Sequence, residues 1–143
     1  MIPFEFPRRS SPMEFLRCIR RMQKVLRTVN PECVNSHNRN ASIVARMAAW
    51  LEKVPVNVYT AHGFYFHDNQ GATAYRLTMG LERALAKVTD HVLSQSQEDE
   101  DLMVARGYIP DSKITTIGNG IDLERFTAAI DRGEAEQSLG LPS

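Results

Sequence analysis

The sequence predicts an α/β fold, a parallel Rossmann-like sheet with helices on both faces. Three observations predict it. Short runs of apolar and β-branched residues alternate with helical stretches of about ten residues or more, the order that specifies a parallel sheet with right-handed crossovers. At 143 residues, 43% hydrophobic and 24% charged, the composition is that of one ordinary domain able to bury a core. Polar residues collect where the strand runs end, at His37, His62, Ser94 to Ser96 and Asn119, and ligands of such sheets sit at the carboxyl ends of the strands.

Ser11-Pro12-Met13-Glu14 places a Ser at the cap, a Pro at the first helical position and a Glu later in the same turn, so a helix starts at Pro12. It runs to about Val29, and Asn30-Pro31 ends it, because the residue before a proline disfavours helical backbone. Glu32 to Ser36 reads as a short buried strand, and Ala41 to Glu52 as an Ala- and Met-rich helix stopping before Pro55. Val56 to Thr60 is a second strand that runs into His62-Gly63-Phe64. Thr73 to Ala86 is helical by spacing, His91 to Ser94 is a strand, and Ser96 to Asp99 caps a helix that Gly107 closes. Lys113 to Ile117 is the last strand. After it, Gly118-Asn119-Gly120 lets the backbone turn sharply, and Asp122 caps a short turn through Phe126.

Several functional classes are excluded on composition. The formal net charge is zero, so the chain has no general attraction for nucleic acid. No apolar run reaches the roughly 18 to 20 residues of a membrane-spanning helix, and the N-terminus lacks the apolar stretch of a signal peptide, so the expected compartment is the cytoplasm. Cys18 and Cys33 read as small buried hydrophobes, not as a disulfide or zinc ligands. His67 and Asp68 follow His62 at a spacing that misses the helical two-ligand pattern, so no metal is expected.

A set of ordered pieces carries a resemblance. They are Ile2-Pro3-Phe4, the Ser11-Pro12 helix start, Ser36-His37, His62-Gly63-Phe64, Glu82-Arg83 with Thr89-Asp90, Ser96 with Glu98-Asp99, Pro110 with Lys113-Ile114, and Asn119-Gly120-Ile121-Asp122. In this order the chain resembles the N-terminal half of glycosyltransferase family 4, nucleotide-sugar-dependent enzymes in which two Rossmann-like domains face a cleft in the GT-B arrangement. The resemblance implies an acceptor-side domain over residues 1–126, without the first strand and Gly-rich loop of the family. Residues 127–143 would then be a linker toward a C-terminal donor-binding domain. It further implies retaining hexosyl transfer from a nucleotide diphosphate sugar to a saccharide or lipid-linked acceptor, with no metal. A fragment lacking the donor half is expected to be inactive alone. The alternative is a non-catalytic subunit of a split transferase that holds acceptor and membrane.

The site residues follow from position and from the resemblance together. His62 stands after a strand, in a loop where Gly63 removes bulk and Phe64, Tyr65 and Phe66 supply flat apolar surface, a description that suits a sugar ring. By resemblance His62 is the His that touches the transferred sugar, the catalytic position, with Gly63 and Phe64 beside the substrate. His37 matches the second of two His in relatives, Asn35 replacing the first, and is expected to contact the acceptor. Asn119 is the expected donor contact across the cleft, with Gly118 where relatives have Pro. Arg39 and Asn40 stand where relatives carry Ser or Thr and Lys. His91 reads as structural, and Glu98 and Asp99 as a helix start. Arg17, Arg20, Arg21, Lys24 and Arg27 share one face of the first helix, opposite Phe15, Cys18, Ile19, Met22, Val25, Leu26 and Val29. In relatives such a stripe docks on anionic membrane, which implies a peripheral place at the inner face.

Overall fold

The structure, a computed structural model, describes residues 4, 6, 11–64, 71–120, 133, 137, 138 and 140. The elements are α1 (Pro12–Val29), β1 (Cys33–His37), α2 (Arg39–Leu51), β2 (Val56–Ala61), α3 (Ala72–Ala86), β3 (His91–Ser94), α4 (Gln97–Ala105), a 3-10 turn (Asp111–Lys113) and β4 (Ile114–Thr116). Asp122, the turn through Phe126, His67 and Asp68 lie outside the described residues.

Local chemistry explains the helix ends. Pro12 opens α1 and the Ser11 carbonyl accepts the first helical bond from Phe15 N at 3.1 Å, but the Ser11 side chain makes no cap bond. At the other end Asn30 turns left-handed, φ 48°, and its N–H reaches Leu26 O at 2.7 Å. Ser96 caps α4 as expected, its hydroxyl accepting from Asp99 N at 3.3 Å. Gly107 closes that helix with φ 64°, a conformation that suits a residue without Cβ.

Four parallel strands form one sheet in the order β1-β2-β3-β4. Each crossover moves to the next strand in the same direction, so right-handed connections place α2, α3 and α4 on one face. The register agrees. Val34, Tyr59, Ala61, Val92 and Ile114 fall on the same side of the pleat. On that side, Tyr59, Ala61, Val92 and Ile114 pack with Met79 of α3 and Met103 of α4, while Val34 packs with Leu26 of α1 and Ala48 and Ala49 of α2.

The opposite side shows Cys33, Asn35, His37, Val58, Thr60, His91, Leu93 and Thr115, and no described helix covers it. The expected parallel sheet is therefore present, while the expected cover is found on one face among the described residues. The same topology corrects the reading of the first strand. Among the described residues β1 is the edge strand and no helix covers its outer side, which leaves Cys33 exposed, and only Cys18 of the two cysteines is a buried hydrophobe.

A buried ion pair crosses the helical layer. Arg46, fully buried in α2, donates from Nη2 to Glu82 Oε2 of α3 at 3.0 Å, and its guanidinium lies 4.2 Å from the centre of the Tyr59 ring. Burying two charges costs more than most polar contacts, so this pair fixes how α2 and α3 dock on β2.

Candidate functional site

The carboxyl ends of β1 and β2 open into a cleft of about 460 Å³, within the range of small-molecule sites. His37 is the last residue of β1 and His62 follows the last residue of β2. Because His37 pairs with Thr60, residues 37, 60 and 62 project to the same side, and the two rings meet diagonally across the strands. His37 Nδ1 and His62 Nε2 lie 3.0 Å apart, with ring centres 5.2 Å apart and planes at 30°. Both imidazoles are exposed to the cleft.

The backbone beside each imidazole is unusual. Asn38 has φ 69° and ψ 140°, and Gly63 has φ 129°. The first is costly for any residue with a side chain, by about 1–3 kcal/mol, and such conformations cluster at functional positions. Asn38 also opens α2 without a side-chain cap, and Arg39 follows it on the cleft wall with Nη2 donating to Thr78 Oγ1 at 3.1 Å.

Aromatic groups form the floor. Tyr59 and Phe64 meet edge to face, ring centres 6.3 Å apart, and both are largely buried while bordering the cleft. Burial, and after it the Glu82 carboxylate, pushes the Tyr59 phenol up to about 12. Phe64 is thus less a flat exposed surface than a core ring with one edge at the site. The loop that carries it is tied down from α4: Asp99 Oδ2 accepts from Phe64 N at 3.2 Å, and Ala61 O accepts from Gln95 N at 3.3 Å. Asp99, expected only as part of a helix start, is therefore also the anchor of the His-Gly-Phe loop.

The structure brings together His62, His37, Gly63 and Phe64 and sets Asn119 apart. Asn119 is exposed beyond β4, two strands from β2, and does not line the cleft. His91 lies at the other end of the sheet, its Nε2 2.9 Å from Thr115 Oγ1. Tyr59 and Arg46 were not singled out by sequence reasoning, and Asp99 was read only as part of a helix start. Arg46 alone carried a signal, as the one charge on the stripe Ser42, Ala45, Arg46, Ala49 of an otherwise apolar helix. Among the described residues no cluster of three or more His, Cys, Asp or Glu is placed to hold a metal ion.

The cleft at the strand ends thus has imidazoles and a guanidinium on its walls and aromatic edges below, within a Rossmann-like domain. The chain belongs to glycosyltransferase family 4, whose family model matches residues 1–125. It is 34% identical over 121 residues to the Escherichia coli UDP-Gal:alpha-D-GlcNAc-diphosphoundecaprenol alpha-1,3-galactosyltransferase, covering 84% of this chain and 31% of that protein. It is 24% identical over 126 residues to the Staphylococcus aureus capsular polysaccharide biosynthesis glycosyltransferase CapM, covering 85% of this chain and 32% of that protein. The chain thus spans about a third of the length of these curated relatives.

Proposed function

We propose that this chain is the acceptor-side domain of a retaining glycosyltransferase that moves a hexosyl unit from a nucleotide diphosphate sugar to a saccharide or lipid-linked acceptor. The observation that carries the reading is His62, exposed at the mouth of a sugar-sized cleft at the strand ends. A ring nitrogen there donates to or accepts from a hydroxyl, and fixed polar groups act mainly by holding the reacting groups in line. A transferase acting on a diphosphate-linked lipid acceptor is among the relatives, which favours an acceptor of that kind.

In this reading residues 1–126 are the acceptor-side domain and 127–143 lead to a donor-binding domain that neutralises the leaving diphosphate without a metal. The 143-residue chain alone binds acceptor without turnover. Calorimetry with a short-chain diphosphate-linked saccharide tests the binding. The wild-type chain binds it, and His62→Ala weakens binding roughly 3- to 10-fold, the loss of one hydrogen bond. Equal affinity of the two proteins contradicts the reading.

The membrane is the second element of this proposal, with the chain peripheral at the cytoplasmic leaflet. No described helix is long and apolar enough to cross a membrane. On α1, Arg17, Arg20 and Lys24 are exposed, with Met13 and Leu16 among them at 59% and 45% exposure. Arg27 is drawn aside by Glu52, at 2.7 Å, and Arg21 lies 5.3 Å from the centre of the Phe4 ring. The contact of Arg27 with Glu52 joins the ends of α1 and α2, so both helices begin at the cleft end of the sheet. Docking through the first turns of α1 would bring a lipid-linked acceptor to the cleft.

A further inference from the structure

The two imidazoles touch each other, and this has a chemical consequence. With His37 Nδ1 and His62 Nε2 at 3.0 Å, one nitrogen donates and the other accepts. In a neutral pair, whichever ring supplies the bridging proton, the outward nitrogens, His37 Nε2 and His62 Nδ1, are then one bare acceptor and one N–H donor. Among the described residues no carboxylate is bonded to either ring, so each imidazole is the other's orienting group. Arg39 of α2 lines the cleft with the pair, Thr60 of β2 pairs with His37 and is bonded to Asn35 at 3.0 Å, and Asp99 of α4 is engaged by the Phe64 N–H. Two positive-φ residues, Asn38 and Gly63, each follow one of the rings directly. Asn38 is strained there and Gly63 takes its turn without cost, so the strained residue directly after His37 marks the contact as built by the fold.

We propose that His37 is a positioning residue for His62: the bridge fixes the ring orientation and tautomer of His62, so that the pair offers one donor and one acceptor to neighbouring hydroxyls of a saccharide. The inference rests on the reading that His62 faces a saccharide, and it deepens that reading by giving the ligand a pattern, a diol. It goes beyond a direct contact between His37 and acceptor, because His37 also sets the orientation and tautomer of His62 through the bridge.

Nuclear magnetic resonance of the 143-residue chain with isotope-labelled histidine tests it. The wild-type spectrum shows a proton shared between the two nitrogens by through-bond coupling, and a single tautomer for each ring. In His37→Phe the His62 ring relaxes to a mixture of tautomers and saccharide affinity falls several-fold. His37→Asn, whose amide keeps a donor near the Nδ1 position, restores a single His62 tautomer if His37 is the donor. A wild-type spectrum without the shared proton overturns the proposal, and needs no variant to fold. An unchanged His62 tautomer in His37→Phe overturns it as well. A shared proton with no response of His62 to any saccharide upholds the bridge and sinks the saccharide reading.

Discussion

Tyr59 is the residue on which core and cleft meet. Its ring stacks under the Arg46 guanidinium, its edge meets Phe64, and its phenol is pushed up to about 12 from an ordinary 10. A raised value means that folding favours the protonated phenol. This stabilisation is whole below pH 10 and is lost as pH rises toward 12, on the order of 2 kcal/mol. Denaturant unfolding at stepped pH shows the decline, and Tyr59→Phe removes this contribution to it. Glu82 is the second residue to test. Glu82→Ala leaves the buried Arg46 charge without its carboxylate and lowers stability by about 3–5 kcal/mol, read as a fall in the denaturation midpoint. Residue by residue, the sequence showed what stands beside it in the chain. His37 and His62 were legible because each closes a strand run. The pairing of Arg46 with Glu82, 36 residues away, and the anchoring of Phe64 by Asp99, 35 away, were not, because nothing local encodes which helix will lie against which loop.

Among the elements, α1 makes the sharpest case for a function beyond packing. Its inner side supplies Cys18 and Leu26 to the core, and its outer side carries cations with apolar side chains among them. The stripe was legible from helical spacing, but its division was not. Arg27 hydrogen-bonds to Glu52, and that bond, with burial opposing it, holds the Glu52 carboxyl below its usual range. Replacing Arg17, Arg20 or Lys24 singly by Ala therefore weakens binding to vesicles containing anionic lipid by roughly 1 kcal/mol each, while Arg27→Ala has the smaller effect. Vesicle sedimentation measures both, and equal effects would contradict the division. Every α-helix and strand among the described residues was legible as to type, with boundaries that match or shift by at most two residues, since apolar spacing and Pro and Gly signals are local. The buried reading of β1 failed because edge position is a property of the sheet.

At the scale of the whole molecule, one strand order explains both the site and the face on which the described helices lie. Steps in a single direction line up β1 and β2 so that His37 and His62 meet, and they put α2, α3 and α4 on one side. All-parallel sheets are normally covered on both faces, and the side carrying Val58 and Leu93 has no described helix on it. Alternating elements specified the parallel sheet, but strand order is set by non-local packing, so which face the described helices cover was not legible. The same order gives the account an internal control. His91 lies on the side of the sheet that carries His37 and His62, at the opposite end, with Thr115 as its partner. The most direct measurement follows the histidine side-chain signals while a diphosphate-linked saccharide is titrated into the chain. The account predicts that His37 and His62 shift together and saturate while His91 stays fixed; signals that do not move, or His91 moving as far as the pair, would contradict it.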